Sequence, residues 1–131
     1  MTDYTRDAEV LFDRFALRHR LSHTLQQAPI ELCWNFPAQA GLTLPVTLGL
    51  QNGDELNFGV ADFWSYFFPF PDVATQFEEV IDAWVAGTAR IAVFGWRGRV
   101  LEVCKGGQWR SVYSANRLFP GRARPKAFIQ N

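Results

Sequence analysis

Apolar and polar positions follow two different periods along this chain, and each period predicts one kind of element. Near the start, apolar residues recur three or four positions apart, which predicts a helix over about residues 4–27. Its apolar positions are Leu11, Phe12, Phe15 and Ala16, followed by Leu17, Leu21 and Leu25. Pro29 should end this helix, because the residue before a proline avoids the helical conformation.

A two-residue period follows and predicts antiparallel strands. In IELCWNF and in LTLPVTLGL, apolar side chains fall on one face and polar or small ones fall largely on the other. A three-residue loop over residues 51–53 would pair Leu48 with Leu56, so that the apolar residues of both strands share a face. We therefore predict this hairpin, with Gly53 in the left-handed conformation.

The two-residue period breaks down at DFWSYFFPFPD, which begins at Asp62, because neighbouring positions there are both aromatic. Six rings stand in the eight positions from Phe63 to Phe70. Such a segment either seals a corner of the core or forms an exposed patch or the wall of a pocket. If it is exposed, Trp64, Tyr66 and Phe70 are the candidate partner-binding residues. If it borders a pocket, Asp62 and Trp64 are the candidate lining residues.

A second helix and a second group of strands complete the predicted fold. After the aromatic segment, an apolar stripe at helical spacing predicts a helix that ends before Gly87. Further strands follow, with turns at Arg97-Gly98 and Gly106-Gly107. The predicted fold class is α+β: a two-layer domain of order α-βββ-α-βββ, with two helices packed on one face of an antiparallel meander sheet. We predict one domain over residues 1–118 and a basic, proline-containing, partly mobile tail over residues 119–131.

The net charge of the 131 residues is zero, but the charges are unevenly distributed. Residues 1–87 carry four basic and twelve acidic side chains, a net charge of −8, whereas residues 88–131 carry nine basic and one acidic, a net charge of +8. Such asymmetry hints at nucleic-acid contact, although the charges can also pair within the fold or between two copies of the chain. The candidate residues for binding an anion or nucleic acid are Arg97, Arg99, Arg110, Arg117, Arg122 and Arg124.

Aromatic residues alternate with these arginines, as in sheets on which single-stranded nucleic acid stacks. The predicted turns place Phe94 and Arg99 on one face of the sheet, and Trp109, Tyr113 and Val93 on the other. This division of the rings between two faces argues against one continuous stacking surface.

The chain offers few groups for catalysis or metal binding. His19 and His23 have the spacing of two ligands on one helix, but a zinc site needs three or four ligands. Cys33 and Cys104 lack an activating motif, so we interpret them as free, mostly buried thiols. The sequence contains no phosphate-binding loop, nucleophile elbow or dinucleotide fingerprint. We therefore predict no catalytic residue, no metal and no cofactor, and the sequence favours a non-enzymatic protein.

The composition, 48% hydrophobic and 15% aromatic, is that of a folded protein. No apolar run approaches the roughly 18 residues of a membrane span, and no signal peptide is evident, so we expect a cytoplasmic protein without membrane contact. The first functional hypothesis is a non-enzymatic module that binds another protein or a second copy of itself. The alternatives are a sequence-tolerant nucleic-acid-binding domain using the basic C-terminal half, and a small-ligand or enzymatic pocket between the helices and a curved sheet.

Overall fold

The computed structural model describes residues 3–26, 31–95, 97–115 and 124–131. Within these ranges the chain forms two helices and nine strands in two antiparallel sheets, which confirms the α+β class. The chain divides into two compact units, Met1–Asp82 and Ala83–Asn131. The predicted division into a domain over residues 1–118 and a tail over residues 119–131 stays a prediction. Among the described helices, none is both long and apolar enough to cross a membrane.

The first unit contains helix α1 (Thr5–His19), most of helix α2 (Phe70–Ala86) and a five-stranded sheet. Its strands lie side by side in chain order: β1 (Thr24–Leu25), β2 (Leu32–Phe36), β3 (Val46–Gln51), β4 (Glu55–Val60) and β5 (Phe63–Trp64). The second unit contains the end of α2 and a four-stranded sheet of order β8-β7-β6-β9. These strands are β6 (Ala89–Phe94), β7 (Gly98–Lys105), β8 (Gln108–Ala115) and β9 (Ala127–Ile129). The strands β1, β5 and β9 are absent from the predicted order.

Helix α1 is shorter than predicted. Arg20 adopts the left-handed conformation, with φ 55° and ψ 47°, and the amide of Leu21 donates to the carbonyl of Ala16 at 2.9 Å. This ending satisfies carbonyls that the last helical turn leaves open. Leu17 is 72% exposed and the helix ends before Leu21 and Leu25, so the predicted apolar side of the helix does not continue to residue 25.

The core of the first unit lies between α1, the start of α2 and one face of the sheet. Phe15 meets Phe36 edge-on, with ring centroids 5.5 Å apart, and Phe12 lies 6.4 Å from Phe77. The apolar positions of β2, β3 and β4 point to this face and are buried, as their alternation predicts. We call this side of the sheet the inner face and the opposite side the outer face.

The hairpin between β3 and β4 has the predicted loop length and faces, but its register differs by two residues. Leu48 pairs with Phe58, and Gln51 pairs with Glu55, so the loop comprises residues 52–54. Gly53 is left-handed, with φ 68°, as predicted. A shift of two residues leaves every side chain on its predicted face, which explains why the apolar pattern cannot detect it.

The turn predicted at Arg97-Gly98 is wrong. Phe94 pairs with Gly98, so three residues separate β6 from β7 instead of two. Gly95 supplies a left-handed conformation at the start of this turn, with φ 57°. The one-residue difference places Arg99 opposite Val93 and therefore on the opposite face from Phe94.

A β-bulge in β8 also changes which side chains share a face. Leu101 pairs with Tyr113, but the next residue, Glu102, pairs with Ser111, which leaves Val112 as the extra residue. Trp109, which pairs with Cys104, therefore lies on the opposite face from Tyr113. The prediction that these two rings share a face is wrong, because the bulge reverses the alternation between them.

Candidate functional site

The aromatic segment after β4 continues past β5 alongside β4, where Phe67 forms a further isolated bridge. The amide and carbonyl of Phe67 each bond the backbone of Leu56 at 2.8 Å, in the same register that pairs Gly59 with Trp64. Burial alternates along it: Phe63, Ser65 and Phe67 are buried, whereas Trp64 is half-buried and Tyr66 and Phe68 are exposed. The expected breakdown of alternation is therefore wrong; rings on both faces conceal the period, and the polar Ser65 stands inside.

Ser65 explains how a polar residue can stand on the inner face. Its hydroxyl oxygen accepts a hydrogen bond from the amide of Phe58 at 3.0 Å, and its carbonyl accepts one from Nδ2 of Asn57 at 3.0 Å. Buried polar groups are stable only when they are hydrogen-bonded in this way. These bonds fix the backbone between Trp64 and Tyr66, and they hold both rings on the outer face.

Gly59 gives the Trp64 ring its place on the outer face. A β-carbon at residue 59 would lie 2.6 Å from Cε3 and 2.8 Å from Cζ3 of the Trp64 ring. The indole therefore rests directly on the backbone of β4, which requires glycine at this position.

A pocket of about 390 Å³ opens on the outer face beside these rings. We call it the amide pocket; the residues that line it are Gln26, Cys33, Asn35, Thr47, Gln51, Trp64 and Tyr66. Two aromatic rings form one wall, and short polar side chains of β2 and β3 form the floor. None of these lining side chains carries a formal charge at neutral pH. This volume lies in the range typical of small-molecule sites.

A directional chain of hydrogen bonds organises the floor of the amide pocket. The Thr47 hydroxyl donates to Oδ1 of Asn35 at 2.9 Å, and Nδ2 of Asn35 donates to Oε1 of Gln26 at 2.9 Å. The Cys33 thiol lies 3.9 Å from each of the two accepting oxygens. Each amide is thus oriented by its neighbour before any ligand arrives.

Two amide oxygens at the pocket and beside it lack a partner among the described residues. They are Oε1 of Gln51, which belongs to the lining, and Oδ1 of Asn57, which lies on the outer face of β4. Both atoms are buried, and the whole Asn57 side chain is 0% exposed. A buried acceptor without a donor costs about 1–3 kcal/mol, so each needs a physical explanation.

The environment of the amide pocket shifts the pKa of Cys33. Burial raises the pKa of its thiol, because the thiolate is poorly solvated there. The thiol therefore stays protonated at neutral pH and acts as a weak hydrogen-bond donor rather than as a nucleophile. Cys33 and Cys104 are both free cysteines, as predicted.

Of the four predicted partner-binding and pocket residues, two border the amide pocket and two do not. Trp64 and Tyr66 border the amide pocket. The expected exposure of Phe70 is wrong: Phe70 is 8% exposed and stacks on Tyr4 with ring centroids 5.0 Å apart. Phe68 is the exposed ring instead, at 59%. Asp62 is exposed in the two-residue turn between β4 and β5 and does not line the amide pocket.

The arginines predicted to bind an anion or nucleic acid do not form one described surface. Arg99 is 9% exposed, and its guanidinium donates to the carbonyl of Gly98 at 2.9 Å. The side chains of Arg97, Arg110 and Arg124 are exposed. Arg117 and Arg122 lie outside the described residues.

No pattern in the sequence indicated the role of Arg90. Its guanidinium carbon lies 4.0 Å from the ring centroids of both Trp109 and Phe128, and its Nε donates to Glu102 at 2.8 Å. Arg90 thus uses faces of two rings that a stacking surface for bases would need, which weakens the nucleic-acid hypothesis.

The two histidines do not act together. Nε2 of His19 lies 2.7 Å from Oδ1 of Asp82, whereas the His23 ring stacks on Trp34 with centroids 4.0 Å apart. Among the described residues, no cluster of three or more potential metal ligands is present. The interpretation of this spacing as structural rather than metal-binding stays consistent with the geometry.

The sequence offered little signal for the floor of the amide pocket, because amides and hydroxyls on alternate strand positions look like ordinary solvent-facing residues. The alternation of β2 and β3 did place Asn35 and Thr47 on the outer face. It could not show that Gln26 and Tyr66 would close over them. Comparison with known protein families, with curated proteins and with solved structures found no significant match, so the geometry of the site carries the functional argument.

Proposed function

We propose that this chain is a binding module that holds a small uncharged molecule in the amide pocket. The observation that carries the proposal is the combination of an aromatic wall with a preordered, neutral, hydrogen-bonding floor in a pocket of about 390 Å³. Aromatic walls supply contact area, and a few fixed polar groups supply orientation and specificity. The pocket lies on the outer face of the first sheet, rather than between helices and sheet as the third hypothesis placed it.

The lining residues favour binding over catalysis. General acid–base chemistry needs a group that titrates near the working pH, and nucleophilic chemistry needs an activated nucleophile. Cys33 has a raised pKa and is not activated. The other floor residues carry amides or a hydroxyl, which hold a ligand without exchanging protons with it.

A matched pair of variants tests the proposal. Tyr66 and Phe68 are both exposed rings on the same side of one segment, but only Tyr66 lines the amide pocket. Wild-type protein, Tyr66→Ala and Phe68→Ala would be screened by thermal shift against neutral monosaccharides and nucleosides. A ligand at 100 times its Kd stabilises the folded state by about 2.7 kcal/mol. We expect a shift in the wild type and in Phe68→Ala that is reduced in Tyr66→Ala. No shift with any probe, or equal shifts in all three proteins, would contradict the proposal.

Partner binding is a second candidate function, and one specific observation favours it. Tyr66 and Phe68 are 44% and 59% exposed and stand two residues apart on one segment, where they could anchor a protein or a second copy of this chain. Sedimentation at low and high salt would test self-association. If this surface is used, Phe68→Ala should weaken the dimer while leaving the melting temperature unchanged; a monomer under all conditions would exclude self-association.

A further inference from the structure

Gln51 is the first of two residues that indicate what the amide pocket binds. Its side chain lines the pocket, and its Oε1 is buried without a hydrogen-bond partner among the described residues. An amide oxygen accepts hydrogen bonds and cannot donate them. In the orientation that the structure gives this amide, the group that satisfies the oxygen presents an N–H or an O–H.

Asn57, on the adjacent strand β4, also has a buried amide oxygen that requires a hydrogen-bond donor. Its Nδ2 donates to the carbonyl of Ser65, so the amide is held in one orientation, and its Oδ1 is buried without a partner among the described residues. Gly49 stands opposite Asn57 on β3 and carries no side chain that could reach this oxygen. The register places Tyr66 opposite Asn57 on the other side.

Tyr66 provides a route to these oxygens. Neither oxygen contacts solvent in the structure, so a ligand reaches them only if a neighbouring side chain moves. Tyr66 is 44% exposed and belongs to the outer face, so its ring can turn outward without disturbing the buried core. Rotation of an exposed side chain on ligand binding is common, whereas movement of the backbone is not.

The wall and the absence of charge in the lining restrict the ligand further. Aromatic side chains hold flat rings by stacking, which is worth about 1–3 kcal/mol per nucleic-acid base. A charged ligand would have to lose its hydration without finding an opposite charge among the lining residues, which is costly. At roughly 30 Å³ per water molecule, the pocket volume matches about a dozen waters, enough for one ring compound but not for a polymer.

We infer that the amide pocket binds an uncharged ring compound that donates at least two hydrogen bonds, one to Gln51 and one to Asn57, and lies against Trp64 and Tyr66. This inference rests on the proposed function. The N–H groups of a nucleoside base and the O–H groups of a hexose share this chemistry. Both sources are therefore included as separate arms of the test.

Probes that have lost donors through methylation test the inference, and Gln51→Met controls for the bulk that the methyl groups add. Adenosine is compared with N6,N6-dimethyladenosine, and glucose with its fully methylated form, by titration calorimetry against the wild type and Gln51→Met. Methionine preserves the length of the side chain and removes the amide. We expect one parent compound to bind at least about tenfold more tightly than its methylated form. The parent that binds identifies the source.

Gln51→Met should bind the preferred parent at least about tenfold more weakly than the wild type, and its preference for the parent over the methylated form should be smaller, because only the acceptor of Asn57 remains. A melting temperature equal to or above that of the wild type would show that the variant is folded. If parent and methylated probes bind equally and Tyr66→Ala abolishes both, the donor inference is wrong and the proposed function stands. If no probe binds the wild type, both are wrong.

Discussion

The indole of Trp64 rests on Gly59 so closely that a β-carbon at residue 59 would lie 2.6 Å from ring atom Cε3. The two residues are directly paired across β4 and β5, so the contact is built into the sheet register. One wall of the amide pocket therefore depends on a residue that has no side chain.

Gly59→Ala should displace the Trp64 ring and destabilise the protein by about 1–3 kcal/mol, because overpacking forces neighbouring side chains from their rotamers. The measurement is urea unfolding of the variant and of the wild type. The same substitution in a Trp64→Ala background is the control. There the cost should nearly vanish; an equal cost in both backgrounds would show that the backbone of β4, not the ring, resists the change.

Glu78 should make the stability of the first unit depend on pH. Hydrogen bonds from Arg14 and Arg18 hold the pKa of Glu78 below its usual range. Its folded pKa is below its unfolded value of about 4.3, so the stabilisation is present above that pH and is lost as the pH falls through the folded pKa. Both arginine partners are more than a third exposed, so we expect at most about 1 kcal/mol.

Urea unfolding of the wild type and of Glu78→Gln between pH 3 and pH 7 would measure this contribution. The wild type should be more stable at neutral pH, and the difference should shrink as the solution is acidified below about pH 4. A difference that stays constant over the whole range would mean that the carboxylate charge contributes nothing.

The pKa of His23 should be lower than that of an ordinary histidine. Burial lowers its pKa because the cation is poorly solvated beside Trp34, and the charge of Asp13 opposes this effect only in part. Its stabilising contribution is therefore complete above about pH 6.5 and is lost as the pH falls through the lowered pKa. An NMR titration of the His23 ring, with urea-unfolded protein as reference, would measure both values. A folded midpoint at or above the unfolded one would refute the prediction.

Arg90→Lys should destabilise the protein by about 1 kcal/mol although the charge is retained. Lysine cannot reproduce the planar contact with Trp109 and Phe128, each 4.0 Å from the guanidinium carbon. Arg110→Lys, at an exposed position of β8, is the matched control and should change stability by less than about 0.5 kcal/mol. Equal effects at the two positions would show that the stacking is not stabilising.

Local patterns in the sequence were sufficient to predict the helices and strands that have one apolar face. The stripe of α2 predicted a helix that ends at Gly87, and Gly87 is left-handed there with φ 80°. The faces of β3 and β4 followed from their alternation. The register between strands is harder to predict from sequence. A two-residue shift, such as the one between β3 and β4, keeps every side chain on its face and changes only which residues are paired.

The candidate site was predictable only in part. Trp64 and Tyr66 stood out because six rings in eight positions are hard to bury from one short segment. The amides of Gln26, Asn35 and Gln51 carry no such signal, since their importance depends on long-range pairing between strands. Burial of Phe70 was equally hidden, because its stacking partner, Tyr4, comes from the other end of the first unit.

The hydrogen-bond chain that begins at Thr47 gives the floor of the amide pocket a polarity. A carboxamide is nearly symmetric in shape, so nothing in its packing alone decides which end is oxygen. The hydroxyl of Thr47 donates to Oδ1 of Asn35 and so orients the Asn35 amide. Nδ2 of Asn35 then donates to Oε1 of Gln26. Thr47→Val, which fills the same space without a hydroxyl, would allow the Asn35 amide to turn over and exchange its donor and its acceptor. We therefore expect this variant to change the ligand preference of the pocket without changing its shape.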